Sequence, residues 1–533
     1  MEDSRYTPNE LFRSARIRLF GTREALADAV NAHLAPAFLI TAADIGKIER
    51  GVVTFPRSPR RAAFRTVFGV AADAEIGFRN TRADQEAQGD PAGTPADTRS
   101  CTTSVTHDGG CQQRPALQAQ SLVRPQTTSY PALLRSGQPM DLFCSGPSQA
   151  ANRGGDVGET TDTFLLTPAG RFLSGLAIPV QLHPAVLSEQ VMTRVPENYA
   201  EDPFIRRSSR ALVVGQVGEP DSGAFVLDSR HARRRLRGAA GEARLPIPRA
   251  YRLDELALAL LWAVAAFDDA LLNDDAVLTA SVHDIAGYAA MDRSAASRDV
   301  AVDASPASLM WLGSMFCADH IRRHTSDLTG PPVFWTREQR GEEAASWLLF
   351  THKNQYLQDT SGRAGPGEQL VRAFCVPRSA VAESASSERA LLLLAAALME
   401  SYGIRATVTD ASELAATPGF VYDNDRRAIT ATWIGADGVW YVDVVDDRTT
   451  LRGFADAAGH AIHHSVCPGA TPERRLQVLA DYLGLDWTWL VVRCTELATC
   501  GRAGIAQPRS RLLSLAGFDR ACRFLADTAG SGN

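Results

Sequence analysis

The sequence predicts a multidomain protein: a small all-α N-terminal domain, a disordered linker and a large α+β C-terminal domain. Three observations carry this reading. The chain has 533 residues, more than one ordinary core accommodates. Residues 1–80 read as four short capped helices, whereas residues 81–158 are poor in aliphatic side chains. From residue 159 strand and helix patterns alternate, in a chain whose composition is 45% hydrophobic and 22% charged, as in globular proteins.

A formal net charge of -6 excludes a protein coated in basic surface. Residues 1–80 hold 12 Lys/Arg against 9 Asp/Glu, so they carry +3 and the remaining 453 residues carry -9. A mildly basic head on an acidic body suits a nucleic-acid contact confined to the head. Nine scattered cysteines without a CxxC pair predict reduced thiols in a cytoplasm, neither a disulfide framework nor a zinc ribbon. The N-terminus lacks an apolar signal core, and the longest apolar run, Leu256 to Phe267, is too short to span a bilayer. A cytoplasmic protein with no membrane contact is expected, and the excess of Arg over Lys with abundant Ala points to a high-GC bacterial source.

Thr7 before Pro8 is a cap followed by a first-turn proline. Leu11, Phe12, Ala15 and Leu19 form the apolar face of this first helix, and Gly21 ends it. Thr22 caps a second helix with Ala25, Leu26, Ala29 and Val30 inward. Thr41 caps a third, in which Ile45 and Ile48 face the core and Gly51 terminates. Ser58-Pro59 opens a fourth, with Ala62, Ala63, Phe64 and Val67 apolar and Gly69 at its end.

The segments GTREALADAV and TAADIGKIERG, in that order between a first and a fourth helix, resemble the Cro/C1-type (XRE family) helix-turn-helix regulators. The resemblance is confined to the first eighty or so residues. It implies double-stranded DNA as partner, with Thr41, Ala42, Ala43 and Asp44 near base edges in the major groove and Lys47 one turn later. Alanines suit thymine methyl groups, and Asp44 suits a cytosine amino group. Arg16, Arg23, Arg50 and Arg57 are expected at phosphates. Family members usually read paired half-sites, which implies a homodimer. Two features depart from the family pattern: Arg23 stands where a glutamine is common, and the link from Asn31 to Ile40 is long where a tight turn is usual.

The stretches GDPAGTPADTRS and SQAANRGGDVGETTD typify residues 81–158. They bury too little apolar surface to offset the entropy of ordering, hence the linker. A mixed region, 159–380, follows, with strands expected at Ala177–Leu182, Gln190–Val195, Ala211–Val217 and Gly223–Leu227. Its expected helices are Asp254–Leu272, Ser305–His324 and Thr336–Leu357. An α+β region, 381–530, has a helix over Ser387–Tyr402, a terminating Gly403, and strands at Arg405–Thr409, Gly419–Tyr422, Ala428–Ile434 and Val439–Val445. The last two strands are joined by a hairpin turn at Gly435–Gly438.

Four constellations in this larger part bear on chemistry. Cys317, His320 and His324 share a helix, but the cysteine lies too far along the axis to share one ion easily, and the reading is a partly exposed helix end. Glu338, Glu342 and Glu343 with His352 read as a solvated helix face near a helix start. His460, His463, His464 and Cys467 read as a surface cluster. The segments SSERALLLLAAALMESYGIRATVT and AITATWIGADGVWYVDVVDD resemble the core of transglutaminase-like enzymes. No cysteine stands near Ser386 to Glu388, Ala431 occupies the histidine position, and only Asp443 approximates the third member, so the thiolate chemistry cannot be built.

No complete catalytic set, metal site or cofactor emerges. The expected function is a sequence-specific DNA-binding transcriptional regulator, not an enzyme. Its C-terminal region senses a small-molecule effector, oligomerises or contacts a protein partner. The alternatives are an enzyme targeted by the helix-turn-helix domain, or an interaction scaffold with a relic DNA-binding domain.

Overall fold

The computed structural model describes residues 8–34, 39–54, 56, 58–70, 73–78, 143–147, 161–219, 221–236, 244–328, 330–362, 369–423, 426–434 and 438–530. The chain divides into two compact units, Met1–Thr128 and Ser129–Asn533. Arg57, most of the expected linker and the tip of the expected hairpin lie outside the described residues.

The smaller unit contains helices α1 (Glu10–Phe20), α2 (Arg23–Asn31), α3 (Ala42–Glu49) and α4 (Ser58–Phe68), then a short 3-10 turn at Asp73–Ile76. Asn9, not Thr7, caps α1. Its Oδ1 accepts from the Phe12 amide at 3.0 Å while its Nδ2 donates to the Ile76 carbonyl at 3.0 Å. One side chain thus caps α1 and ties it to the 3-10 turn at Asp73–Ile76. Thr22 and Thr41 cap α2 and α3 as the sequence predicts, and Thr41 forms a reciprocal capping box with Asp44. The helices close over Phe12, Leu26, Val30, Ile45, Ile48 and Phe64, with Phe12 meeting Phe64 edge-on at 5.0 Å. Leu11, expected on the apolar face, is 56% exposed, one helical step away from the buried stripe that holds Phe12.

Asn31 accounts for the long link between α2 and α3. Its Nδ2 donates to the Ile40 carbonyl at 2.9 Å, and its Oδ1 accepts from the Ile40 amide at 2.8 Å. The side-chain amide acts as a strand partner would and draws the two ends of the link together, with Ile40 buried in the core.

The larger unit holds two seven-stranded sheets. The first comprises β1 (Phe143–Pro147), β2 (Thr161–Leu166), β3 (Ala177–Leu187), β4 (Val191–Arg194), β5 (Leu212–Val217), β6 (Gly223–Asp228) and β7 (Arg244–Ile247). Its order is β1-β2-β3-β4-β7, with β5 pairing β3 in parallel and β6 pairing β5. β1 lies inside the stretch expected to be disordered linker. Its ladder with β2, Phe143 opposite Leu165, is made by backbone groups, which composition does not report.

The second sheet comprises β8 (Ser294–Ala296), β9 (Val333–Thr336), β10 (Val371–Cys375), β11 (Arg405–Thr409), β12 (Phe420–Asp423), β13 (Arg427–Thr432) and β14 (Trp440–Val445). The order is β11-β10-β9-β12-β13-β14-β8. β9, β10 and β11 run parallel, and the remaining pairs are antiparallel. Strands from both sides of residue 380 are mixed in this sheet, so the expected regions 159–380 and 381–530 are one unit.

Thirteen further helices are described: α5 (Ser229–Leu236), α6 (Glu255–Asn273), α7 (Asp275–Ile285), α8 (Pro306–His324), α9 (Gly341–Leu349), α10 (Thr351–Ser361) and α11 (Arg378–Glu383), then α12 (Ser386–Ser401), α13 (Arg448–His463), α14 (Pro472–Tyr482), α15 (Trp487–Cys500), α16 (Ala503–Ala506) and α17 (Ala516–Gly530). α6, α9, α12 and α17 pack together, α8 lies against β13 and β14, and α13 lies against β10, β11 and β12. Alternation along the strands feeds separate cores: Phe334 and Phe374 join the main core, while Trp335 and Ala373 join the core under α13.

The single helix expected over Thr336–Leu357 is instead β9 followed by α9 and α10. They break at Phe350, whose extended backbone bridges to Leu513. Gly341 opens α9 against the start of α12, where a Cβ would stand 1.9 Å from the Glu388 carbonyl oxygen. Among the described residues no helix is long and apolar enough to cross a membrane.

Replacing Asn31 with Ala removes both bonds to Ile40. Hydrogen exchange at the Ile40 and α3 amides is expected to accelerate, with the opening free energy reduced by about 1–3 kcal/mol.

Candidate functional site

The position of α3 is fixed from behind by one buried carboxylate. Glu49, 3% exposed, places Oε1 2.7 Å from Arg16 Nε and Oε2 2.8 Å from Arg23 Nε. Arg16 also donates to the Gly21 carbonyl. The sequence reading puts Arg16 at a phosphate, but this buried guanidinium is spent on Glu49, since a carboxylate taken out of water demands a cation. Arg23, tied to the same carboxylate, keeps 26% of its side chain exposed. Gly46 makes room for it: a Cβ there would lie 3.1 Å from Arg50 Nη1 and 3.5 Å from Arg23 Nη1. The two guanidinium groups therefore converge at one point of α3.

On the outer side of α3, Thr41, Ala43 and Lys47 are exposed, and Ala42 and Asp44 are half-buried. Asp44 is already engaged. Its Oδ2 accepts from the Thr41 amide and hydroxyl, each at 3.2 Å, and its Oδ1 is 3.5 Å from Lys47 Nζ. Burial works the other way, yet the Thr41 hydrogen bonds and the Lys47 charge hold this carboxyl below the usual carboxylate range. The expected bond from a cytosine amino group to Asp44 would have to compete with this box.

The larger unit contains a cavity between α8, α9, α10 and the centre of the second sheet. The space it leaves for the centres of water-sized molecules is about 60 Å³, within about 550 Å³ of empty volume that includes open solvent. Lys353, 2% exposed, stands 2.9 Å from Glu338 Oε1 and 2.8 Å from Ser346 Oγ. Its ammonium lies 4.1 Å from the Trp347 ring centre and 4.4 Å from that of Trp433. Trp347 Nε1 donates to the same Glu338 oxygen at 2.9 Å. Burial lowers the Lys353 ammonium below its ordinary range, and the Glu338 carboxylate opposes that shift. Arg372, 3% exposed, stacks 4.6 Å from Phe334 and 4.7 Å from Trp347 and donates through Nη1 to Thr336 Oγ1 at 3.0 Å.

Glu338, Glu342 and Glu343 are thus no solvated face; all three are buried. Glu342 accepts from the backbone amides of Arg171, Phe172 and Leu173 at 2.9, 3.1 and 3.3 Å. Glu343 accepts from the Gln339 and Arg340 amides at 2.7 and 3.1 Å and pairs with Arg171. The decisive partners of Glu342 lie some 170 residues away in sequence, which a reading of helix spacing does not reach. His352 is also interior, and burial drives its pKa well down.

Cys317 lines the cavity, its thiol pushed up by burial. His320 and His324, expected at a partly exposed helix end, are buried with ring centres 4.6 Å apart. Burial, then His324 and Arg323, lower His320 to about 4. His463 and His464 are exposed at the end of α13, while Cys467 is buried. Among the described residues no group of three His, Cys, Asp or Glu could hold a metal. Of the positions aligned with the transglutaminase-like core, Ala431 lines the cavity. Ser386 Oγ donates to Glu255 beside α6, and Asp443 accepts from Tyr441 at 3.0 Å.

No protein-family model, curated protein or solved structure matches this chain.

Two outcomes follow from the buried charges. Glu49→Ala leaves two guanidinium groups without their carboxylate and should cost about 3–5 kcal/mol in urea unfolding followed by helical circular dichroism. His320 is neutral when folded, so below its unfolded pKa of 6.5 it withdraws stability until pH reaches about 4. His320→Asn should therefore gain stability relative to the parent by up to about 3 kcal/mol as pH falls through that window. The readout is the difference in denaturant midpoint between the two proteins.

Proposed function

We propose that this protein is a sequence-specific DNA-binding transcriptional regulator, with α3 as the helix that enters the major groove and the larger unit as the sensing part. One observation carries the reading. The outer side of α3 presents Thr41, Ala43 and Lys47, while the acids of that helix are both occupied, Glu49 by Arg16 and Arg23, and Asp44 by its capping box and Lys47. A surface whose carboxylates are neutralised from within can approach a polyanion.

Small side chains at the start of α3 permit close approach to base edges, and thymine methyl groups suit Ala42 and Ala43. Arg23, Lys47 and Arg50 supply the phosphate contacts; Arg16 leaves that set because it is buried. The Asn31 clamp supports the assignment, because it holds the start of α3 to the end of α2 despite the long link. Two copies of the chain reading paired half-sites complete the proposal.

The test is fluorescence anisotropy with labelled duplex fragments selected from genomic DNA by the full chain, at several salt concentrations. Lys47→Ala is expected to weaken binding uniformly and to reduce the slope of log affinity against log salt by about one. An unchanged affinity and slope in that variant would remove α3 from the interface.

A further inference from the structure

The cavity in the larger unit carries an imbalance of charge. Lys353 is matched by Glu338 at 2.9 Å. Arg372 and Arg337 also line this cavity, and among the described residues neither has a carboxylate in salt-bridge contact. The Nε atoms of both are buried without a hydrogen-bond partner. The nearest acids acting on Arg337 are Glu343 and Glu338, already engaged by Arg171 and Lys353. Desolvating a guanidinium that lacks a counter-ion is costly, and the other deeply buried arginines described in this unit, namely Arg210, Arg475, Arg493 and Arg502, each have one.

We infer that the cavity is a binding site for a small carboxylate with a flat apolar body, whose carboxylate supplies the missing negative charge between Arg372 and Arg337. A planar guanidinium fork matches a carboxylate in two parallel hydrogen bonds. The rings of Phe334 and Trp347 beside Arg372, and of Trp433 beside Lys353, line the same cavity and offer flat apolar walls. The site accounts for an arginine at position 372, where an apolar side chain would pack at less cost. That this carboxylate is the regulator's effector rests on the proposed function; the site itself does not.

The experiment is thermal unfolding of the full chain followed by tryptophan fluorescence. All eight tryptophans lie between Trp262 and Trp489, so the signal reports the larger unit alone. Sodium benzoate is the probe, benzamide its uncharged isostere, and sodium chloride the match for ionic strength. Benzoate is expected to raise the midpoint saturably, and benzamide and chloride are not. Arg372→Met should abolish the benzoate response and, without benzoate, melt no lower than the parent, because it removes an uncompensated buried charge. Arg337→Gln should weaken the apparent affinity about tenfold, as expected for losing one charged hydrogen-bond partner, and it carries the test should Arg372→Met fail to fold. Absence of a benzoate-specific shift, or a shift of parental size in the folded variants, overturns the inference. The mixture contains no DNA, so that failure leaves the α3 interface standing, and a failure of the Lys47 test leaves this site standing.

Discussion

An ion removed from water must meet its opposite charge inside the protein, and in both units this requirement dictates which elements come together. In the smaller unit Glu49 gathers Arg16 from α1 and Arg23 from α2 onto the end of α3. In the larger unit Arg210 reaches Asp228 at 2.9 Å and Asp268 at 2.6 Å, and Asp268 also accepts from the backbone amides of Arg509 and Ser510. The late chain is thereby fastened to α6. Arg475 takes both oxygens of Glu400 at 2.8 and 2.6 Å, joining α14 to α12, and Arg493 joins α15 to Asp254 at the start of α6. Removing one partner of such a pair strands a charge in low dielectric, so each pair favours one arrangement of helices over its alternatives.

The same bookkeeping separates structural cations from available ones. Arg16 and Lys47 look equivalent in a count of basic residues, yet one is 7% exposed and the other keeps 49% of its side chain in solvent. The inward pairing of Glu49 removes an acid from the outer side of α3 and braces that helix against α1 and α2. In the cavity the balance is different: Lys353 pairs with Glu338, while among the described residues Arg337 and Arg372 have no carboxylate in salt-bridge contact.

Much of the smaller unit was legible because its signals are local. Thr22, Thr41 and Gly69 act on the backbone within a turn of themselves, and the third helix ends where Glu49 and Arg50 meet Gly51. Asn9 caps α1 through a local bond to the Phe12 amide, and its second bond, to the Ile76 carbonyl far along the chain, is one that local sequence does not report. In the larger unit the hairpin of β13 and β14 was readable, since alternation and a glycine-rich turn coincide; Thr430 does face Asp443. Three-to-six-residue strands such as β1, β8 and β9 were not, because their identity rests on backbone bonds to distant strands. The buried glutamates were misjudged for the same reason. Helical spacing marks Glu342 as one turn from Glu338, but the amides of Arg171, Phe172 and Leu173 decide that it goes inside.

The most direct test of the proposed DNA contact is hydrogen exchange of the full chain with and without duplex DNA at low ionic strength. The first amides of a helix have no intrahelical partner, so those at the start of α3 report contact readily. Slower exchange concentrated in Thr41–Gly51 and the first turn of α2, with the larger unit unchanged, is the predicted result. Protection absent from α3, or confined to residues beyond 160, would contradict the assignment of this helix as the nucleic-acid surface.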